Sequence, residues 1–128
     1  MKTFKDNLGR NWQISVTVGS AKRVRDLAGS DILQLKAETL KRLGEDPYFL
    51  ADVFYALVKP EADAAKVSPE NFAEGLAGDA VEEATEILLD ELMLFFPSAQ
   101  RKILQDAVAR AREAKAKIQN PPSSISGN

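Results

Sequence analysis

Five carboxylates lie close together in the segment VEEATEILLDELMLFFP, residues 81–97. Glu82, Glu86 and Asp90 are spaced four residues apart, so a helix would place them on one face. Grouped carboxylate oxygens are the ligands that Mg²⁺ prefers. Di-iron sites in helical bundles combine such glutamates with histidine. Because the chain contains no histidine, this second kind of site is excluded.

Glu82, Glu83 and Glu86 form an EExxE pattern. The pattern resembles half of the magnesium site of the all-α nucleoside triphosphate pyrophosphohydrolases. That resemblance implies a second acidic pair, ExxD, on a following helix, yet no glutamate of the chain is followed by an aspartate three residues later. A magnesium-dependent pyrophosphohydrolase is therefore the least favoured alternative. The favoured interpretation is an amphipathic helix whose carboxylates face water or a basic partner and whose apolar residues face the core. The predicted core positions are Val81, Ala84, Leu88, Leu92 and Phe95.

Two missing residue types remove most other catalytic chemistry. Cysteine is absent, which excludes disulfides, thiolate metal sites and cysteine nucleophiles. Without histidine, the serines have no imidazole base. The glycines at 75 and 78 indicate a helix end rather than a phosphate-binding loop. We therefore predict a protein that is not an enzyme and has no metal or cofactor.

Composition points to one soluble domain. The chain has 128 residues, 45% of them hydrophobic and 28% charged, with a net charge of −2. This length suits a single hydrophobic core. The first residues lack the apolar segment of a signal peptide, and no apolar run approaches the roughly 20 residues that span a bilayer. We expect a cytoplasmic protein that binds neither membrane nor nucleic acid.

Residue patterns predict a mainly α protein with a small N-terminal β-hairpin (α+β) and five to six helices around one core. Alternation of Trp12, Ile14, Val16 and Val18 predicts a half-buried strand in a hairpin over 3–18. Capping and stop signals then predict helices within 20–118, and the final residues, rich in proline and serine, are predicted to be a disordered tail. The predicted ranges are 1–118 for the single domain, 119–128 for the tail, and 20–27, 31–43, 47–59, 69–78, 79–96 and 98–118 for the helices.

Charge is segregated along the chain. Residues 68–96 contain eight acids and no base, and residues 100–118 contain six bases and two acids. One interpretation is that the acidic and basic helices pair within the fold or face water. The other is that the alanine-rich C-terminal helix projects from the core as a docking arm or a nucleic-acid-binding arm. A helix-turn-helix over 20–43 is disfavoured as a DNA reader, because its second helix begins with Asp31.

The whole layout resembles the tail assembly chaperones of tailed phages and prophages. The resemblance covers about residues 3–118 and rests on three parts of the chain. These are the opening TFKDNLGRNWQISVTVGSAKRVRD, the central DPYFLADVFYALVKPEADAAKVSPENFAEGLAGDAVEEATEILLDELMLFFP and the basic helix after it. It implies a mainly helical fold with a small β element. It also implies binding to the tape measure protein, recruitment of tail tube subunits, possible self-association, and absence from the mature virion. The alternative within the same setting is a virion structural or connector protein.

A chaperone of this kind needs exposed apolar anchors together with charge that keeps the complex soluble. Leu92, Phe95 and Phe96 are the predicted anchors, because Phe95 and Phe96 precede Pro97 at a helix end. Arg110 and Arg112 on the basic helix are the predicted charged contacts. These five residues form the predicted partner-binding set.

Overall fold

A computed structural model describes residues 2–34 and 36–119, with side chains except those of residues 111 and 114–119. Six α-helices follow an antiparallel hairpin in this part of the chain, which confirms the predicted fold class. The predicted disordered tail lies, from residue 120 onward, outside the described residues. In chain order the elements are β1 (Lys2–Lys5), β2 (Asn11–Ile14), α1 (Val18–Ala28), a 3₁₀ turn (Ile32–Gln34), α2 (Ala37–Glu45), α3 (Pro47–Ala64), α4 (Pro69–Glu74), α5 (Asp79–Phe95) and α6 (Ser98–Gln119).

The hairpin is shorter than predicted. Strand β2 ends at Ile14, and Thr17 caps α1 through a reciprocal pair of hydrogen bonds with Ser20. The helix therefore begins at Val18 rather than at residue 20. Val18 is 68% exposed, so the prediction that it shares the buried face was wrong. Trp12, Ile14 and Val16 are buried as predicted.

Helix α3 is the centre of the core. Val53, Phe54 and Ala56 are fully buried, which confirms that this helix is apolar on more than one side. Phe4 of the hairpin packs on Phe54 with ring centroids 5.1 Å apart. The ring centroid of Phe72 in α4 lies 5.8 Å from that of Phe54. The hairpin thus buries its apolar face against helices, as a two-stranded sheet must to be stable.

The turn of the hairpin is built around Asp6, whose carboxylate is completely buried. Its Oδ1 accepts the backbone N–H groups of Leu8 (3.0 Å) and Arg10 (2.9 Å). Its Oδ2 accepts Arg10 Nε (2.8 Å) and Trp12 Nε1 (3.0 Å). Burial opposes ionisation of Asp6, but the hydrogen bonds from Trp12, Arg10 and Leu8 outweigh it, so the pKa of Asp6 lies below its ordinary value.

The same turn is joined to α4 at Gly75. Asn7 N–H donates to the Gly75 carbonyl at 2.8 Å, and Arg10 donates to the Asn71 carbonyl at 2.7 Å. A Cβ on Gly75 would lie 2.6 Å from Asp6 Oδ2, much closer than a normal contact. Glycine is therefore required here by close approach, since its φ of −81° is open to any residue.

We expect Gly75→Ala to lower the free energy of unfolding by about 1–3 kcal/mol, because the added methyl group displaces the Asp6 carboxylate from its donors. Urea unfolding of purified protein measures the loss. Gly19→Ala is the matched control, since a Cβ at Gly19 meets only one atom, at 3.7 Å. Equal stability of Gly75→Ala and the wild type would contradict this account of the turn.

Helix α3 continues through Pro60, so the prediction that Lys59-Pro60 ends it was wrong. Proline lacks the N–H that would bond to the carbonyl of residue 56, which usually breaks a helix. In this fold, Arg23 of α1 donates Nε to the Ala56 carbonyl at 2.8 Å and a terminal nitrogen to the Leu57 carbonyl at 2.9 Å. A side chain from a neighbouring helix thus supplies the missing donor.

The segment before α2 also departs from the prediction of one helix over 31–43. Asp31 accepts the N–H of Leu33 at 3.0 Å, which closes a local turn, and a 3₁₀ turn follows. Helix α2 begins only at Ala37 and runs through Gly44, the predicted stop, to Glu45. Two other predicted bounds shift: α4 ends at Glu74 rather than Gly78, and Gly78 rather than Asp79 precedes α5.

Candidate partner-binding groove

The apolar end of α5 is turned inward. Leu92 is 1% exposed and Phe96 is 7% exposed, while Phe95 is half-buried. The prediction of an exposed anchor at Phe96 was therefore wrong, and Leu92 is also inaccessible in this fold. Arg101 explains part of the packing: it donates to the carbonyls of Met93 (3.2 Å) and Phe96 (3.0 Å), which closes the α5–α6 turn and holds Phe96 inward.

Helix α6 lies on the domain rather than projecting from it along its described side chains. Leu104 is 1% exposed and Val108 is 2% exposed. The helix packs against α2 and α5. The prediction of a free docking arm is therefore wrong for this stretch. Although α6 has few large apolar residues, burial of Leu104 and Val108 is enough to pack the helix against the domain.

Charges of α5 and α6 meet where the helices pack. Arg112 pairs with Glu86 across the two helices, with side chains 45% and 48% exposed. At that exposure the pair contributes little to stability. Asp90 pairs instead with Lys2 of β1, at 3.3 Å. Part of the charge segregation is thus paired within the fold, as the first interpretation predicted.

The remaining acids of α5 do not converge. Glu82 and Glu83 are exposed, and Glu91 is 4% exposed, a burial that the sequence pattern did not indicate. Across residues 2–34 and 36–119, no group of three or more potential ligands is arranged to hold a metal ion. The EExxE pattern therefore lies along one helix surface, with Glu86 engaged by Arg112.

A groove of about 290 Å³ opens between α2, α5 and α6. Arg110 and Arg112 line it, so the structure brings these two predicted residues together. The groove's lining does not include the other three members of the predicted set. Its apolar floor comes from all three helices and consists of Leu40, Leu89, Ala107 and Val108, and the exposed Ala37 also lines the groove. A second cavity of about 260 Å³ shares Gly44, Glu45 and Thr85 with it.

Three exposed cations line the described part of this groove: Lys41 on α2, and Arg110 and Arg112 on α6. Within the described part of the chain, neither Lys41 nor Arg110 makes an ion pair, whereas Arg112 is engaged by Glu86. Glu45 is the remaining charged residue of the lining. Arg110 and Arg112 were predicted from the sequence as partner contacts and line the groove, whereas Lys41 and the apolar floor were not predicted, because nothing in the order of the residues indicates that α2 lies beside α6.

Comparison of the chain with protein-family models, with curated proteins and with solved structures finds no match. Among the described residues, no helix combines the length and the apolar character needed to cross a bilayer.

Gly44 lines both cavities, and a Cβ added there would meet no atom within 4 Å. We expect Gly44→Ala to raise the free energy of unfolding by about 0.5–1 kcal/mol, because alanine loses less backbone entropy in a helix. Thermal unfolding followed by circular dichroism measures the gain. Gly29→Ala is the opposite control: its φ of +72° makes alanine strained, so that variant should be less stable. A loss of stability in Gly44→Ala would contradict the finding that a Cβ at residue 44 meets no other atom.

Proposed function

We propose that this protein is a tail assembly chaperone of a tailed phage or prophage, acting in the host cytoplasm. In this role it binds the tape measure protein and recruits tail tube subunits during tail morphogenesis. The observation that carries the proposal is the groove between α2, α5 and α6, which offers an apolar floor and cations on two of its sides. The family resemblance of residues 3–118 supplies the identity of the partners.

The groove suits the work that such a chaperone performs. A tape measure protein is a long helical chain with apolar stripes, which aggregates when these stripes meet water. A groove lined by three helices covers part of such a stripe, in the way that helical segments dock into apolar grooves of other proteins. Charged side chains at the edge, including Lys41 and Arg110, keep the complex soluble and its contacts reversible.

Co-expression with the tape measure protein encoded in the same genome tests the proposal. The expected result is soluble tape measure protein that co-purifies with this chain, and insoluble tape measure protein when this chain is left out. An unrelated helical protein of similar size and charge serves as the control for non-specific solubilisation. Tape measure protein that stays insoluble, or that the control solubilises equally, would overturn the proposal.

Mass spectrometry of purified phage particles separates the proposed role from a virion structural or connector role. A chaperone is expected to be absent from finished particles or present far below the copy number of any structural subunit. Detection at stoichiometric copy number would contradict the chaperone assignment and support a structural protein. The measurement needs no variant and is independent of the groove.

A further inference from the structure

We propose that the groove between α2, α5 and α6 docks an acidic amphipathic helix, with its apolar stripe on the groove floor and its carboxylates toward Lys41 and Arg110. The proposal rests on the proposed function for the identity of the partner protein. The groove alone determines the chemistry of the docked helix.

The floor determines the apolar part of the ligand. Leu40, Leu89 and Val108 are each less than 10% exposed and come from three different helices, so the floor is held in place by the packing of the core. A volume of about 290 Å³ is close to the lower end of ordinary ligand clefts, which hold about 300–1,000 Å³. It accommodates a few aliphatic side chains, such as those a helix presents at positions i, i+3, i+4 and i+7.

The charges at the edge determine the polar part. Arg112 and Glu86 pair with each other, whereas Lys41 of α2 and Arg110 of α6 make no ion pair with the described residues. Glu45 is the other charged residue of the described lining. Cations from two of the lining helices complement a helix that carries carboxylates on both sides of its apolar stripe. None of the described residues that line the groove has an aromatic side chain on which a base could stack, so a nucleic acid strand is a poorer fit.

Two synthetic peptides test the chemistry directly. Each is a helix of about 18 residues with the same leucine stripe, flanked by glutamate in one peptide and by lysine in the other. Fluorescence anisotropy of labelled peptides against the full chain measures affinity. We expect the acidic peptide to bind about tenfold more tightly than the basic one at low salt, and the difference to shrink as salt is raised.

Charge reversal locates the binding surface. The double variant Lys41→Glu with Arg110→Glu is expected to reverse the preference, so that the basic peptide binds more tightly. The matched control is Lys22→Glu with Lys102→Glu, which changes the net charge equally at two exposed lysines outside the groove. The control should keep the preference of the wild type. Circular dichroism confirms that both variants are folded.

Several results would overturn the inference: no binding of either peptide, equal binding of both, or an unchanged preference in the Lys41/Arg110 variant. Failure of the proposed function gives a different result. If the acidic peptide binds as expected but the tape measure protein does not co-purify, the groove inference stands and the chaperone proposal fails. If the tape measure protein co-purifies equally with wild type and with the Lys41/Arg110 variant, the chaperone proposal stands and the groove inference fails.

Discussion

Replacing Asp6 with asparagine is expected to lower the free energy of unfolding by about 2–4 kcal/mol. Each carboxylate oxygen of Asp6 accepts two hydrogen bonds, from Leu8 and Arg10 at Oδ1 and from Arg10 and Trp12 at Oδ2. An asparagine side chain has one acceptor oxygen and one NH₂ group. In either orientation, two of the four donors would therefore face an NH₂ group in a buried site.

Urea unfolding at neutral pH measures this loss, and fluorescence reports the site directly because Trp12 is the only tryptophan in the chain. Asp52→Ala is the matched control, since Asp52 is exposed on α3 and makes no ion pair or side-chain hydrogen bond with the described residues. It should change stability by less than about 0.5 kcal/mol. An Asp6→Asn protein as stable as this control would contradict the role of the buried carboxylate.

The dependence on pH gives a second readout of the same variant. The pKa of Asp6 is lowered in the folded protein, so its ionised form stabilises the fold. That contribution is fully present above the ordinary pKa of this aspartate in the unfolded chain, about 3.8, and is lost as pH falls through the lower pKa of the folded protein. The stability difference between wild type and Asp6→Asn should therefore shrink in strong acid. A difference that stays constant from pH 7 into strong acid would show that ionisation of Asp6 is not involved.

Replacing Arg23 with methionine is expected to lower the free energy of unfolding by about 2 kcal/mol, because the carbonyls of Ala56 and Leu57 lose a charged donor. The loss should depend on Pro60. In the Pro60→Ala background, the N–H of residue 60 is available to the Ala56 carbonyl, so Arg23→Met should cost about 1 kcal/mol less.

Urea unfolding of the wild type, the two single variants and the double variant measures this coupling. Arg25→Met is the matched control: it lies on the same helix, and its ion pair with Asp26 is more than half exposed on both sides. We expect that variant to change stability by less than about 0.5 kcal/mol in either background. Equal costs of Arg23→Met with and without Pro60 would show that the arginine does not replace the missing donor.

Local chemistry made part of the fold predictable. Asp46 accepts the N–H groups of Tyr48 and Phe49, and Ser68 accepts that of Asn71, as their positions before a proline indicated. Gly29 ends α1 with a positive φ, as predicted for a glycine after a helix. Such signals depend on residues within a few positions of one another, so these helix ends can be predicted from the sequence alone.

The features that were not predicted correctly depend on contacts between residues that are far apart in the chain. Helix α3 passes Pro60 because Arg23, from another helix, bonds to its carbonyls. Phe96 is buried by the α5–α6 turn that Arg101 closes, although its place before a proline suggested an exposed ring. The groove needs α2 beside α6, so only Arg110 and Arg112 of the predicted partner-binding set were found to line it.

Blocking the groove between α2, α5 and α6 tests most directly our proposal that this groove holds a helix of the tape measure protein. Ala37 lines the groove and is itself exposed, so Ala37→Phe adds a ring there without displacing core residues. Ala99→Phe, at an exposed alanine near the start of α6, is the matched control. Size-exclusion chromatography with light scattering after co-expression measures the complex. We predict a soluble complex with wild type and Ala99→Phe and none with folded Ala37→Phe, whereas equal complex formation by all three proteins would contradict the account.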